Sequence, residues 1–228
     1  MKKIILLCFV LWIYSPFKAQ LQGIYNQAAY PFLLHLPEPE ILKSKPAVLI
    51  FLHGRSLSGN DLEMVKRYGV IKEIEKGRKL PAIVVAPQVP KGESWDPEKL
   101  VSVLKFVQKT FDTDEKRVYV VGMSLGGYGT LHFAGAHPEL VTAAVALCGG
   151  GNPNEACELA NVPIWIQHGN QDRAVPLSES QKMVSAIKRC NGGKNLKFTV
   201  VPGADHGDLE RVFRTDELYE WLFQYIKN

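Results

Sequence analysis

Seven short apolar runs punctuate the chain, at 30–36, 47–53, 82–87, 117–122, 142–148, 163–169 and 196–203. They are continuous: 47–53 reads AVLIFLH and 82–87 reads AIVVAP. A strand with one face in water alternates apolar and polar residues, whereas one that is apolar throughout must be covered on both faces. Helical patterns fall between the runs, at 61–76, 96–111, 125–138, 178–190 and 216–226. Asp61 stands near the start of the first. Asp96 and Pro97 supply the second with an N-cap and a first-turn proline, and Pro138 stops the third. Strands alternating with helices predict an α/β fold, a mostly parallel central sheet with helices on both faces. No insertion is long enough to form a large lid, so residues 20–228 are expected to make one minimal domain.

The start of the chain, MKKIILLCFVLWIYSPFKAQ, follows a different logic. Two lysines precede an apolar run too short to span a bilayer comfortably, and small residues follow. Residues 1–19 therefore read as a signal peptide cut after Ala19, which predicts a periplasmic or extracellular protein. Its removal takes away Lys2, Lys3 and Lys18 and no acid, so 27 basic against 23 acidic residues become 24 against 23. That balance offers no basic stripe for nucleic acid and no charge run for a membrane surface.

Residues 121–129 read VGMSLGGYG, one serine among four glycines, between an apolar run and a helical pattern. A strand, then G-x-S-x-G, then a helix is the pattern of a sharp turn that lifts a serine hydroxyl above the sheet edge. Gly122 and Gly126 are expected where a side chain would strike the neighbouring strand or helix, and Gly127 where the helix presses on the sheet. A serine hydroxyl is a poor nucleophile until a base takes its proton. The partners should follow in the order acid, then histidine, each in a loop after a strand. Asp172 follows the run PIWIQ and His206 follows LKFTVV. The expected roles are Ser124 as nucleophile, His206 as general base and acid, and Asp172 as the group that orients the imidazole.

Acyl transfer also needs two N–H groups for the developing oxyanion. Leu125, next after the serine, should give one. Arg55, after His53-Gly54, should give the other, with Ser56 the second choice. Asp205 and Asp208 read as loop and capping residues, and His132 and His137 as structural or exposed. His168 reads as a brace for the acid loop, and His35 as part of an edge strand. No His/Cys cluster has metal-ligand spacing, so neither metal nor cofactor is expected.

The segments FLHGRSLSGND, VAPQVPKGESWD, RVYVVGMSLGGYGT, CGGGNP, PIWIQHGNQDRAVPLSES and DELYEWL together resemble the single-domain α/β-hydrolase esterases of bacteria. More narrowly, they are similar to a peptidase or esterase group related to feruloyl and acetylxylan esterases and to dienelactone-hydrolase-like proteins. The resemblance implies a carboxylesterase that works through an acyl-enzyme. Its substrate would be a small-molecule or oligosaccharide ester, such as a feruloyl or acetyl ester of a plant polysaccharide. The alternative it implies is a serine peptidase acting on short peptides. It also implies that Trp95 lines the substrate cleft. Two places depart from the pattern: Arg55 stands where relatives usually carry a small residue, and 205–209 reads DHGDL where an aromatic often follows the histidine.

Cys148, Cys157 and Cys190 remain after the leader, an odd count that permits at most one disulfide plus a free thiol. Cys148 ends an apolar run and reads as a buried small hydrophobe. In this topology Cys157 and Cys190 both fall at the sheet edge opposite the site, which permits a bond between them; the sequence alone does not fix the pairing.

Overall fold

The computed structural model describes residues 21–191 and 193–227. The expected signal peptide over 1–19 lies outside the described residues.

Among the described residues, eight strands form one sheet: β1 Leu21–Ile24, β2 Phe32–His35, β3 Ala47–Leu52, β4 Ala82–Pro87, β5 Val118–Met123, β6 Ala143–Leu147, β7 Ile164–Gly169 and β8 Leu196–Val201. Their order is β1-β2-β4-β3-β5-β6-β7-β8. β1 and β2 run antiparallel to their neighbours, and every pairing from β4 to β8 is parallel. The helices are α1 Pro39–Leu42, α2 Gly69–Glu75, α3 Pro97–Thr110, α4 Leu125–Ala136, α5 Ala156–Leu159, α6 Leu177–Asn191 and α7 Asp216–Phe223. Asp96 caps α3 as expected, accepting from the N–H groups of Glu98 and Lys99.

In β2 to β7 the apolar runs do what their continuity requires, whereas the run of β8, broken by Lys197 and Thr199, forms a partly exposed edge strand. In β3, Val48, Ile50 and Leu52 face the layer built by α3, α4 and α6 and share one core with Leu104, Phe133 and Ile187. Leu49 and Phe51 point to the other face, with Val70 and Ile71 of α2 and Leu218 and Leu222 of α7. Burying each such side chain stabilises the fold by roughly 1.5–3 kcal/mol, so the sheet rather than any helix carries the structure.

Two expectations fail. β1, LQGI, is too short and polar to register as a run, yet it pairs with β2 along its whole length. His35 therefore lies one strand in from the edge. Burial lowers its pKa, and its Nδ1 is enclosed without a partner.

The second failure is the helix expected over 61–76. Leu62–Arg67 forms a 3-10 turn capped by the Asp61 carboxylate, and α2 begins only at Gly69. Between them Tyr68 is extended, with φ −154° and ψ 179°, and Gly69 has φ +80°. A Cβ on Gly69 would stand 2.1 Å from Cζ of Phe51. Buried Leu62, Val65, Val70 and Ile71 mimic the spacing of one helix while belonging to two pieces.

Cys157 in α5 and Cys190 near the end of α6 are joined by a disulfide. Cys148 is a free, buried thiol. Among the described residues, no helix is long and apolar enough to cross a membrane.

Candidate active site

β5 delivers Ser124 and α4 begins immediately after it. The serine holds φ 59° and ψ −120°, a backbone conformation L-residues avoid and one that persists only when its surroundings force it. Those surroundings are backbone. The Ser124 N–H donates to Leu147 O at 2.9 Å, and its carbonyl accepts from Tyr128 N–H at 3.0 Å. A Cβ on Gly122 would lie 2.2 Å from Gly126 O, and one on Gly126 would lie 1.8 Å from Leu52 O. Neither obstacle can swing aside, so both glycines are required for β5, α4 and the end of β3 to meet. Gly127 is similarly close to Leu147 O.

The loop after β7 carries Asp172, whose side chain is fully enclosed. It accepts from the N–H groups of Ala174 and Val175 and from Nδ1 of His206, the last at 2.7 Å. Burial alone would raise its pKa, but the Val175 bond, His206 and the Ala174 bond outweigh that and hold it low. The carboxylate thus stays charged and fixes the histidine with its proton on Nδ1, leaving Nε2 as the basic nitrogen. His206 follows β8, and its loop is tied by a reciprocal pair of bonds, Asp205 N–H to Asp208 and Asp208 N–H to Asp205. His168 braces the acid loop, its ring nitrogens 2.7 Å from Ser180 Oγ and 2.9 Å from Val175 O.

Ser124 and His206 line one cavity of about 440 Å³ together with Arg55 and Leu125. Arg55 and Leu125 are each the first residue of a helical turn, so their N–H groups have no helical carbonyl to donate to. The Arg55 side chain is exposed. Trp95 borders an adjoining cavity, but its ring is buried and its indole N–H donates to His53 O at 3.2 Å. Cys157 and Cys190 lie in neither cavity lining.

Two residues shape this site that their sequence positions do not advertise. The Tyr68 hydroxyl accepts the N–H of Gly54 and borders the Ser124 cavity, and burial pushes the phenol up to about 12. His53 is enclosed beneath the same loop. Its Nδ1 donates to Gly54 O at 2.8 Å and its Nε2 accepts from Val89 N–H at 3.3 Å. Burial, only partly offset by the Gly54 bond, lowers its pKa to about 4, so it is neutral. The break at Tyr68-Gly69 is what turns the tyrosine inward, and a Tyr-Gly pair inside an apparent helix was the available signal.

Among the described residues, the group able to bring three His, Cys, Asp or Glu ligand atoms together is Cys148, Asp172 and His206. Its donor chemistry suits a proton relay better than an ion. Nδ1 of His206 is already engaged by Asp172, and burial pushes the Cys148 thiol up to about 12, keeping it protonated.

A serine raised on a strained turn at the carboxyl edge of a mostly parallel sheet, with an aspartate-bound histidine across the cleft, belongs to the α/β-hydrolase fold. Within that fold the chain belongs to the dienelactone hydrolase family, whose model matches residues 92–217. It is 28% identical over 147 residues to a bifunctional acetylxylan esterase/xylanase of Neocallimastix patriciarum, covering 61% of this chain and 21% of that one. It is 25% identical over 155 residues to feruloyl esterase B of Neurospora crassa, covering 58% of this chain and 49% of that one. The chain thus spans half or less of these curated relatives. A solved thermostable esterase superposes with a TM-score of 0.76 at 26% identity, covering 91% of this chain and 63% of its own.

Proposed function

We propose that the protein is an exported serine carboxylesterase. The observation that carries this reading is Ser124, held at φ 59° in a cavity shared with a histidine whose other nitrogen is bound to a buried carboxylate.

In the proposed reaction Nε2 of His206 takes the Ser124 proton as Oγ attacks the ester carbonyl. The resulting oxyanion is held by the N–H groups of Leu125 and Arg55. Collapse expels the alcohol, which leaves with the proton from His206, and the acyl group stays on Ser124. Water then repeats the sequence: His206 takes its proton, the carbonyl is attacked again, and the acid departs as Ser124 recovers its proton. Asp172 stays ionised throughout and stabilises the imidazolium. Feruloyl or acetyl esters of plant polysaccharides are the substrates this reading favours, supported by the names of the two curated relatives. Export is supported by the leader at 1–19 and by the disulfide, which suits an oxidising compartment.

The test is turnover of p-nitrophenyl acetate and methyl ferulate by the mature protein beside Ser124→Ala. The expected result is hydrolysis that falls by at least about a thousandfold in the variant while its fold is retained. Activity surviving in Ser124→Ala, or peptide amides cleaved in preference to esters, would overturn the assignment.

A further inference from the structure

The cavity holding Ser124 meets a second, of about 400 Å³, at Arg55, Leu125 and Tyr128. His206 borders the first cavity only. On an ester whose carbonyl oxygen sits between the N–H groups of Leu125 and Arg55, the alcohol must face His206, which protonates it. The acyl chain then points the other way, into the second cavity.

One face of α4 runs along that cavity. Leu125, Gly129 and His132 follow the spacing i, i+4, i+7, so they lie in line on the helix. Leu125 to His132 is about 10 Å of helical rise. Midway, Gly129 admits the Trp95 ring against the helix: a Cβ there would fall 2.5 Å from the indole Cδ1. The middle of the track is therefore smooth and apolar, made of helix backbone and indole. Its far end is polar. Nδ1 of His132 lies 2.9 and 3.0 Å from the two carboxylate oxygens of Glu155, which fixes the ring and commits its Nδ1 proton. In the neutral ring Nε2 is left as an acceptor.

Building on the esterase reading above, we propose that this second cavity is the acyl subsite and that His132, positioned by Glu155, accepts a hydrogen bond from a hydroxyl at the far end of an aryl-acyl group. A 4-hydroxycinnamoyl group extends roughly 8 Å from carbonyl carbon to phenol oxygen by ordinary bond lengths, which with a hydrogen bond of about 2.8 Å beyond it spans the track. An acetyl group would leave the track empty. His132 is thus a specificity-determining residue that reads the distal hydroxyl, and Glu155 is its positioning residue.

The experiment compares kcat/KM for methyl 4-hydroxycinnamate and methyl cinnamate, which differ only in that hydroxyl. Wild type should prefer the hydroxylated ester by about five- to tenfold, the worth of one hydrogen bond. In His132→Leu the ratio should fall to about one. Glu155→Gln should lower it in part, and His132→Gln, which keeps an acceptor, should restore part of it. Because the readout is a ratio within each protein, a general loss of activity does not imitate the effect. A wild-type ratio near one, or a ratio untouched by His132→Leu, would overturn the proposal. Turnover of p-nitrophenyl acetate by wild type, lost in Ser124→Ala, reports separately on the esterase reading. If that fails, both fall; if it holds while the ratio stays put, only the subsite proposal falls.

Discussion

The two walls of the Ser124 cleft are held in opposite ways. The serine's own wall is fixed by backbone against backbone: Gly122 against Gly126 and Gly126 against Leu52, each too close to admit a methyl group. The facing wall, the loop from Gly54 to Leu57, is held by side chains arriving from elsewhere. Tyr68 accepts the Gly54 N–H, His53 bridges Gly54 and Val89, and Gln88 donates to the carbonyls of Leu57 and Asp61 at 2.8 Å. A wall made of backbone contacts has one solution and tolerates no added atom. A wall made of side-chain bonds can lose them one at a time, and it can respond to pH.

This contrast orders four expected outcomes. Gly126→Ala should be the most damaging, costing about 4 kcal/mol or more, because its methyl meets carbonyl atoms that belong to β3. Thermal unfolding would register it; a variant within about 1 kcal/mol of wild type would mean that the backbone wall yields after all.

The second outcome concerns pH. His53 is buried neutral with its pKa lowered from 6.5 to about 4. Between those values the unfolded chain binds more protons than the folded one, so stability must fall as pH drops through that window. The contribution is roughly 3 kcal/mol, fully present above pH 6.5 and lost by about pH 4. Urea midpoints measured from pH 7 to 4 on wild type and His53→Gln would expose it. The variant's slope should be visibly flatter, and an equal slope would clear His53 of responsibility.

Gly69→Ala comes third, at about 2–3 kcal/mol. It forces an L-residue into φ +80° and presses on the Phe51 ring, which unlike a carbonyl can shift slightly. If the facing wall depends on this bend, kcat should fall along with stability; loss of stability at constant kcat would separate the bend from the loop. Tyr68→Phe should be mildest, near 1 kcal/mol, because the freed Gly54 N–H borders a cavity from which water can reach it. Hydrogen exchange at Gly54 should accelerate in that variant, and an unchanged rate would mean that another acceptor serves the N–H.

The same contrast explains what the sequence disclosed. Ser124, Asp172 and His206 were legible because their surroundings are local: a glycine pattern, a strand before each loop and a fixed order. Continuous apolar runs announced the parallel sheet, since coverage on both faces leaves no polar alternation. The facing wall was not legible. Tyr68 acts across fourteen residues and His53 across thirty-six, and a hydrogen bond between distant residues leaves no periodicity behind. β1 escaped because an antiparallel edge of four residues needs few apolar side chains. His132, read as structural or exposed, revealed its place only when α4 and α5 came together around Glu155.

The disulfide reaches further than the two helices it joins. α5 is four residues long, too short to sustain itself by its own hydrogen bonds. Glu155, beside it, forms the outer end of the acyl track. Cys157 moors that short helix to α6, a fifteen-residue rod packed along the sheet. With the bond intact, the far end of the cavity is tethered to one of the longest solid pieces of the molecule. With it reduced, the same end keeps the packing of Ala156 and Leu159 and the Glu155–His132 pair but loses its covalent tie to α6. Two sulfurs that line neither cavity thus help to hold one end of the acyl track in place.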